Sequence, residues 1–564
     1  MNDTKIKTER IDDVPLLIAH QKKMGIPNLI DRHFKAHGNR KGLSLGWLAT
    51  VWLSHIISES DHRMNVVRDW SKQLEETLKK STGQEIEELD FTDDRLEDLL
   101  RYLNQTENWE SFERSLNRNV IRVYDLKKEV VRIDSTTSLS YCGITEEGLF
   151  QYGYSKDKRP DLAQLKVNLA TLDPLGIPLA TTVLKGNEAD DGLYIPAIEQ
   201  VRRSLPEEGK LYIGDSKMGA IKTRSFIESK GEYYLCPLSL VQLPPEDLNV
   251  YIDEAGLREL SDVERTMSDG TREVIAKGYR RAKIRTDKVD GREITWIEQL
   301  FVVRSFKLAE AGERGLNKRL NAAIEELDNL LDRRQGKKLI SNRDQLQKAI
   351  DDILERYDVR ALLHVNCTET SITRTIRRYR DRPERQVIQA HFQLDINVNQ
   401  LALNRAINRL GWRVYATNAP SSELDLEKAV LAYRSEFIIE QGFRRLKDKP
   451  LSLTPLYLQR EDYATGLVRL LSIGLRILTL LQFLARRSLD NAGQTLSDLY
   501  PGNPKRSTRR PTAEKLLQAF RNINLTILHE NSSVRKFLSE LSDLQLHILS
   551  LFGFTPDVYS ILLE

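Results

Sequence analysis

The hydrophobic pattern of residues 1–125 is helical. Ser44-Leu-Gly-Trp-Leu-Ala-Thr-Val-Trp-Leu opens on a residue suited to capping a helix and continues apolar. Thr92-Asp-Asp-Arg-Leu-Glu-Asp-Leu-Leu-Arg-Tyr-Leu joins a Thr cap and early acids to helical periodicity. Near residue 129 the pattern changes. Glu129–Asp134 predicts a strand, and Gln164–Leu172 alternates in steps of two, as a half-buried strand does. Asp173-Pro-Leu-Gly176 predicts a turn into a third strand, Ile177–Leu184. Helical Tyr194–Ser204, strand Lys210–Asp215, helical Ala220–Lys230 and strand Tyr233–Cys236 follow.

A three-strand meander followed by crossover units predicts a mixed sheet covered by helices. Residues 240–408 interrupt it with strand-like runs such as Thr295–Val303 and with Leu316, Leu320, Ala323, Leu327 and Leu330 at helical spacing. A break at Gln335-Gly-Lys-Lys and a second helical run, Gln345–Tyr357, complete an expected antiparallel hairpin. The sheet pattern resumes at Trp412–Asn418, and Glu427–Lys447 predicts one helix. The remainder reads as helical around a loop at Tyr500–Pro511. Five segments are therefore expected: a helical region 1–125, the sheet's first part 126–239, an α+β insertion 240–408, the sheet's second part 409–490 and a helical region 491–564.

Composition narrows the class. With 564 residues, 40% hydrophobic and 30% charged, the chain has room for about three or four domains and enough apolar surface to exclude a disordered protein. The 85 basic residues nearly cancel the 82 acidic ones, so a nucleic-acid surface has to come from local clusters. Three separated cysteines and nine scattered histidines give no disulfide framework and no zinc spacing. A polar start predicts no secretory leader, and a reducing, cytoplasmic setting fits. The most apolar stretch, Leu467–Leu484, contains Arg469, Arg476 and Gln482, which are costly in a bilayer, so a buried helix is expected and no membrane partner.

Candidate chemistry lies in acids at strand ends. Asp134 and Asp215 each end a short apolar strand. If those strands are neighbours, the two carboxylates emerge together and repel unless a proton or cation is shared. A hard divalent cation such as magnesium, which prefers oxygen ligands, answers that need. The alternative for either acid alone is a turn-former or helix cap. Tyr433, Glu440 and Lys447 are spaced seven and seven, two helical turns each, and would share one face of a continuous helix. Phe437 and Phe443, on either side of Glu440, would hold that face to a core. The competing reading is a polar helix edge in which Arg444 pairs with Glu440.

These residues carry a resemblance. The chain resembles bacterial insertion-sequence transposases of the DDE class, in the branch whose last acid sits in a Tyr-x2-Arg-x3-Glu-x6-Lys signature. Asp134 matches in Arg-Ile-Asp-Ser-Thr-Thr, Asp215 in Tyr-Ile-Gly-Asp-Ser-Lys-Met-Gly-Ala, and Glu440 in Tyr433-Arg-Ser-Glu-Phe-Ile-Ile-Glu-Gln-Gly-Phe-Arg-Arg-Leu-Lys447. Gly153-Tyr-Ser-Lys-Asp-Lys-Arg159-Pro-Asp-Leu-Ala-Gln164, Gly186-Asn187 with Asp190, and Ala416-Thr-Asn418 are similar too. One position departs: Glu436 stands where the signature has Arg. Glu440 is preferred as the third acid because Tyr433 and Lys447 keep their spacing only to it.

The resemblance implies an α/β ribonuclease-H-like mixed sheet, with the insertion between the second and third acids. It implies two Mg2+ ions, for which Mn2+ can substitute, held by Asp134, Asp215 and Glu440. Tyr433, Lys447, Arg444 and Arg159 would contact DNA phosphate, and the N-terminal helices would read terminal repeats. The implied partner is double-stranded DNA, terminal repeats and target alike, met by a homodimer in the bacterial cytoplasm. Three basic clusters could add phosphate contacts: Arg280, Arg281, Lys283 and Arg285; Arg374, Arg377, Arg378, Arg380 and Arg382; Lys505, Arg506, Arg509 and Arg510, before a helix capped by Thr512. Two rivals remain, a related nuclease that cuts without joining and a noncatalytic DNA-binding descendant.

Overall fold

The structure is a computed structural model. It describes residues 4–38, 40–144, 146–155, 158–267, 270–332, 340, 342–377, 383–503, 505–530 and 533–564. The chain divides into two compact units, one of Met1–Cys236, Arg285–Trp296 and Ala432–Glu564, the other of Pro237–Ile284 and Ile297–Leu431. Residues 1–125 and 491–564 thus share a unit with the Asp134 sheet. The stretch 240–408 lies in the second unit except for 285–296, and 409–490 is divided at residue 431.

In the first unit a strand, β1 (Thr4–Arg10), precedes seven helices, α1 (Val14–Met24), α2 (Ile26–His33), α3 (Leu45–Glu59), α4 (Val67–Gln73), α5 (Glu75–Thr82), α6 (Asp93–Leu103) and α7 (Thr106–Tyr124). Ser44 caps α3 as expected, its side chain accepting from the Trp47 amide at 3.4 Å. Thr92 holds the cap position of α6 without a side-chain cap bond; Asp93 and Asp94 supply the negative charge that suits a helix start. The sheet follows with β2 (Val130–Ser140), β3 (Ala163–Leu172), β4 (Ile177–Lys185), α8 (Tyr194–Ser204), β5 (Leu211–Ile213), α9 (Ile221–Ser229) and β6 (Tyr233–Pro237). Its order is β4-β3-β2-β5-β6. The meander β2–β3–β4 is antiparallel, and β2, β5 and β6 run parallel.

Strand β3, expected to be half-buried, is buried at every position. Its polar side chains find hydrogen-bond partners within the protein: Gln164 Nε2 donates to Gly186 O at 3.0 Å, Lys166 Nζ to Asp190 Oδ1 at 2.7 Å and Asn168 Nδ2 to Leu193 O at 3.4 Å.

The second unit contains α10 (Pro245–Ala255), β7 (Ser261–Thr266), most of β8 (Arg272–Val289), most of β9 (Arg292–Ser305), α11 (Phe306–Asp328), α12 (Arg343–Arg356), β10 (Leu363–Ile376), β11 (Arg385–Val398), α13 (Gln400–Asn408), β12 (Trp412–Thr417) and most of α14 (Leu426–Arg434). Its strands order as β12-β9-β8-β7, with β10–β11 a separate antiparallel hairpin. The helical pair read from the leucine spacing is present. Leu316, Leu320, Ala323 and Leu327 of α11 share a core with Leu346, Ile350 and Ile353 of α12 and Phe392 of β11. The Gln335-Gly-Lys-Lys break, Arg378, Arg380 and Arg382, and the side chain of Arg374 lie outside the described residues.

The chain ends in the first unit with α15 (Phe437–Lys447), α16 (Glu461–Ala492), α17 (Ala513–Gln518), β13 (Asn524–Glu530), β14 (Ser533–Leu538), α18 (Asp543–Leu551) and α19 (Asp557–Ser560). Neither terminal region is purely helical, because β1, β13 and β14 form a three-stranded antiparallel sheet. Its β1 strand, Thr-Lys-Ile-Lys-Thr-Glu-Arg, shows no apolar periodicity; it takes shape by pairing with β13, whose Leu525 and Ile527 are buried. Helix α16 is, among the described residues, the one helix long and apolar enough to cross a membrane, and 94% of its apolar window is buried inside the protein. Arg476 pairs there with Glu113 of α7, and Arg469 Nη1 donates to Leu103 O at 2.8 Å.

Candidate active site

Between Val131 and Ser140 every residue of β2 is buried except Asp134. The parallel register of β2 with β5 pairs Val130 with Leu211, Val131 with Tyr212 and Arg132 with Ile213. Two residues beyond the last pair stand Asp134 and Asp215, so the acids hold equivalent positions on neighbouring strands, whose spacing is about 4.8 Å. That register sets the backbones of the two aspartates side by side.

Both meet one phenol. Tyr194, the first residue of α8, donates its hydroxyl to Asp215 Oδ1 at 2.6 Å, and the Lys217 amide donates to the same oxygen at 2.8 Å. Burial, then the charge and hydrogen bond of Asp215 and the charge of Asp134, raise the Tyr194 hydroxyl well above its ordinary value. It therefore stays a protonated donor. Gly214 makes room for this ring: a Cβ there would lie 2.7 Å from Met218 Sδ and 2.8 Å from Tyr194 Cε1.

Strand β3 sets the approach of α8. Lys166 and Ser135 both donate to Asp190 Oδ1, at 2.7 and 3.0 Å, and the Ser135 amide donates to Asp134 Oδ1 at 2.7 Å. Asp190 opens the 3-10 turn Asp190–Leu193, which delivers Tyr194. Asp190, from the motif that also holds Gly186-Asn187, thus links Lys166 and Ser135 beside Asp134.

Glu440 arrives differently. The single helix expected over Glu427–Lys447 is broken at Ser435–Glu436, so Tyr433 belongs to α14 while Glu440 and Lys447 share α15. Phe437 is 53% exposed and holds nothing to a core; Ile439, Phe443 and Leu446 do that instead. Arg132 ties the segment to β2: it pairs with Asp173 at 2.6 Å and donates to Ala432 O at 2.7 Å. The Asp173–Gly176 turn closes on α15 so tightly that a Cβ at Gly176, whose φ is 75°, would meet Ile438 Cγ2 at 2.8 Å.

Glu440 itself is exposed, in the first turn of α15, and among the described residues it forms no ion pair with Arg444, which is also exposed. Tyr433 and Lys447 are half-buried and each is engaged by neighbours, as is Glu436. Among the described residues no group of three or more His, Cys, Asp or Glu side chains is close enough to hold a metal ion. Asp134 and Asp215 stand in register on adjacent strands, and Glu440 does not join them in a three-acid group among the described residues. Glu440 sits on a helix docked through Ile439, Gly442, Phe443 and Leu446.

A family model described as the transposase DDE domain matches residues 125–473, which hold all three acids. The chain belongs to this transposase family. No curated protein matches the sequence. Among solved structures, a cryo-EM structure of the piggyBac transposase synaptic complex with hairpin DNA aligns over 90% of this chain and 79% of that one, at 8% identity and a TM-score of 0.34, a likeness too slight to inform the fold or the site.

Arg281 is occupied, paired with Glu254 and set over the Tyr251 ring, and Arg280 donates to Ser421 Oγ. Arg506 lies 3.9 Å over the Tyr500 ring, and Thr512 caps α17 as expected. Arg159 is exposed and makes a two-pronged bond to Asp161 at 2.8 and 2.7 Å. Sequence reasoning missed Tyr194 and Lys166 as site residues of this transposase. Nothing distinguishes Tyr194 from an ordinary helix residue, whereas Lys166, a lysine inside an apolar strand, was a visible signal for a buried ionic contact.

Proposed function

We propose that this chain cuts DNA and joins the released strand end to a target, as an insertion-sequence transposase on a ribonuclease-H-like core, using Asp134, Asp215 and Glu440 with divalent cations. One observation carries the reading: Asp134 and Asp215 occupy equivalent positions of adjacent parallel strands and act on the same buried phenol. Carboxylate oxygens are hard donors suited to Mg2+ or Mn2+. Two such ions, when bound, would polarise a phosphoryl oxygen and activate the attacking hydroxyl. Asp134 and Asp215 would hold them, and Glu440 would complete the set once cation and DNA offset the repulsion among the three acids.

In cutting, a water oxygen bonds to phosphorus, the bond to the 3′ oxygen breaks, and that oxygen leaves with a proton. In joining, the new 3′-hydroxyl attacks a target phosphate, loses its proton and displaces the target's own 3′ oxygen. Tyr194 and the Lys217 amide fix Asp215 through both steps, while Asp190 links Lys166 and Ser135 beside Asp134. Lys447, Tyr433, Arg444 and Arg159 contact phosphate. Two DNA ends must be paired, so a homodimer on double-stranded DNA in the cytoplasm is the working form.

The test is cutting and joining of labelled transposon-end DNA with Mg2+ or Mn2+. Asp134→Asn, Asp215→Asn and Glu440→Gln should each abolish both steps while leaving DNA binding in place. Cutting retained by Asp134→Asn overturns the reading. A noncatalytic DNA-binding descendant is favoured by one observation, the position of Glu440 outside a three-acid cluster. It predicts binding without cutting in the unaltered protein.

A further inference from the structure

Strand β2 continues past Asp134 to Ser140, and the next residue, Tyr141, is 58% exposed. Ser140 bridges in parallel to Leu456, and the adjoining Tyr457 is 70% exposed. The two rings stack, with centroids 5.7 Å apart and planes 15° from parallel. Backbone contacts hold the pair in place: the Tyr141 amide and Ser140 Oγ both donate to Leu456 O, at 3.4 and 3.2 Å. Arg159 interacts with Tyr141. Its guanidinium is held above its ordinary range first by the hydrogen bond to Asp161 and further by the Tyr141 phenol. Tyrosines are ordinarily part-buried with one polar end wet. Two set side by side in solvent, on anchored backbone, keep flat apolar faces available to a third ring.

We propose that Tyr141 and Tyr457 form a stacking platform for an unpaired nucleobase of the DNA, with Arg159 on a neighbouring phosphate. The inference rests on the DNA-cutting reading above. A base within a duplex has both faces covered by its neighbours, so only a single-stranded or extruded base offers a face to the platform. Position supports DNA as the occupant. Tyr141, just past the end of β2, follows Asp134 by seven residues, at most about 23 Å at about 3.3 Å per residue. About seven nucleotides span that distance at the duplex rise of about 3.4 Å each, and fewer do so where the strand is unpaired and extended. A DNA strand whose phosphate lies at Asp134 therefore reaches the tyrosines.

The experiment measures binding of the full chain to a fluorescein-labelled duplex and to the same duplex with a single-stranded polythymidine tail. The unaltered protein should bind the tailed probe more tightly. Tyr141→Ala with Tyr457→Ala should weaken the tailed probe at least about fivefold and leave the duplex unchanged, since aromatic stacking is tolerant of base identity and lost with the ring. Tyr141→Phe with Tyr457→Phe should restore the preference. Equal affinity of the unaltered protein for both probes, an unchanged tailed affinity in the alanine variant, or an equal loss on both probes overturns the platform and leaves the DNA-cutting reading standing. Failure to bind either probe removes that reading as well.

Discussion

Replacing Gly214 by alanine tests whether Tyr194 is seated by a close approach that only glycine permits. The added Cβ would stand 2.7 Å from Met218 Sδ, 2.8 Å from Tyr194 Cε1 and 3.0 Å from Met218 Cβ, where ordinary contact begins at 3.4 Å. The Met218 thioether is flexible and can turn aside. The tyrosine ring cannot do so without loss, because it is buried and its hydroxyl is held at 2.6 Å by Asp215. Overpacking of this kind costs about 1–3 kcal/mol. A hydrogen bond to a charged group adds about 1.5–3 kcal/mol, at the lower end here because Asp215 is half-buried and keeps the Lys217 amide. A stability loss of roughly 2.5–4.5 kcal/mol follows, read from the urea midpoint at unchanged slope.

Cutting should fall at least about tenfold, since each 1.36 kcal/mol in the barrier is a factor of ten. Tyr194→Phe removes the hydroxyl alone and should reproduce the cutting defect with a smaller loss of stability. Adding Met218→Ala to Gly214→Ala should not rescue it, because the clash with the ring remains. Unaltered stability and cutting in Gly214→Ala, or full cutting by Tyr194→Phe, would refute the link between this glycine, the phenol and Asp215.

Two further predictions concern the packing of the first unit. Asp13 is buried, accepts a hydrogen bond from Ser58 at 2.6 Å, and is raised by burial to about 6. The folded state thus binds the Asp13 proton more tightly than the unfolded chain does, so this residue's contribution falls as pH rises from about 4 to about 6. Relative to Asp13→Asn, the unaltered protein should lose roughly 3 kcal/mol across that window in denaturant melts; parallel curves would show that Asp13 is not buried as described. Glu113 and Arg476 are both almost fully buried and paired. Glu113→Gln should cost about 3–5 kcal/mol by leaving Arg476 uncompensated, and Glu113→Leu with Arg476→Met should recover most of it. A single-variant loss below about 1 kcal/mol would contradict the burial.

Much of the site was legible because strand periodicity and strand-end acids are local. Asp134 and Asp215 come together because they are in register on neighbouring parallel strands; Asp215 follows the end of β5 as expected, whereas Asp134 lies inside β2, which pairs with β3 as far as Ser140 instead of ending at the acid. The α11–α12 pair was legible for the same reason, its leucines marking one face. Less legible was the third acid. Seven-residue spacing assumes one unbroken helix, and the break at Ser435–Glu436 leaves Tyr433 and Glu440 on separate elements. Phe437 was misread because an apolar residue need not face a core, and its exposure follows from the side of α15 that Ile439, Phe443 and Leu446 bury. The charge-rich strand β1 carries no periodic signal at all, and its state is set by β13, far along the chain.

By itself the sequence determined which segments are strand and helix around the two aspartates, and which residues carry the oxygen donors, since both depend on short-range periodicity and residue type. Tertiary structure alone decided that Tyr194 reaches across Gly214 to Asp215, that Lys166 and Asp190 brace Asp134, and that Glu440 stands on a separate, differently anchored helix. Those are relations between residues distant along the chain, fixed by sheet register and by which faces find an apolar partner, and no local pattern encodes them.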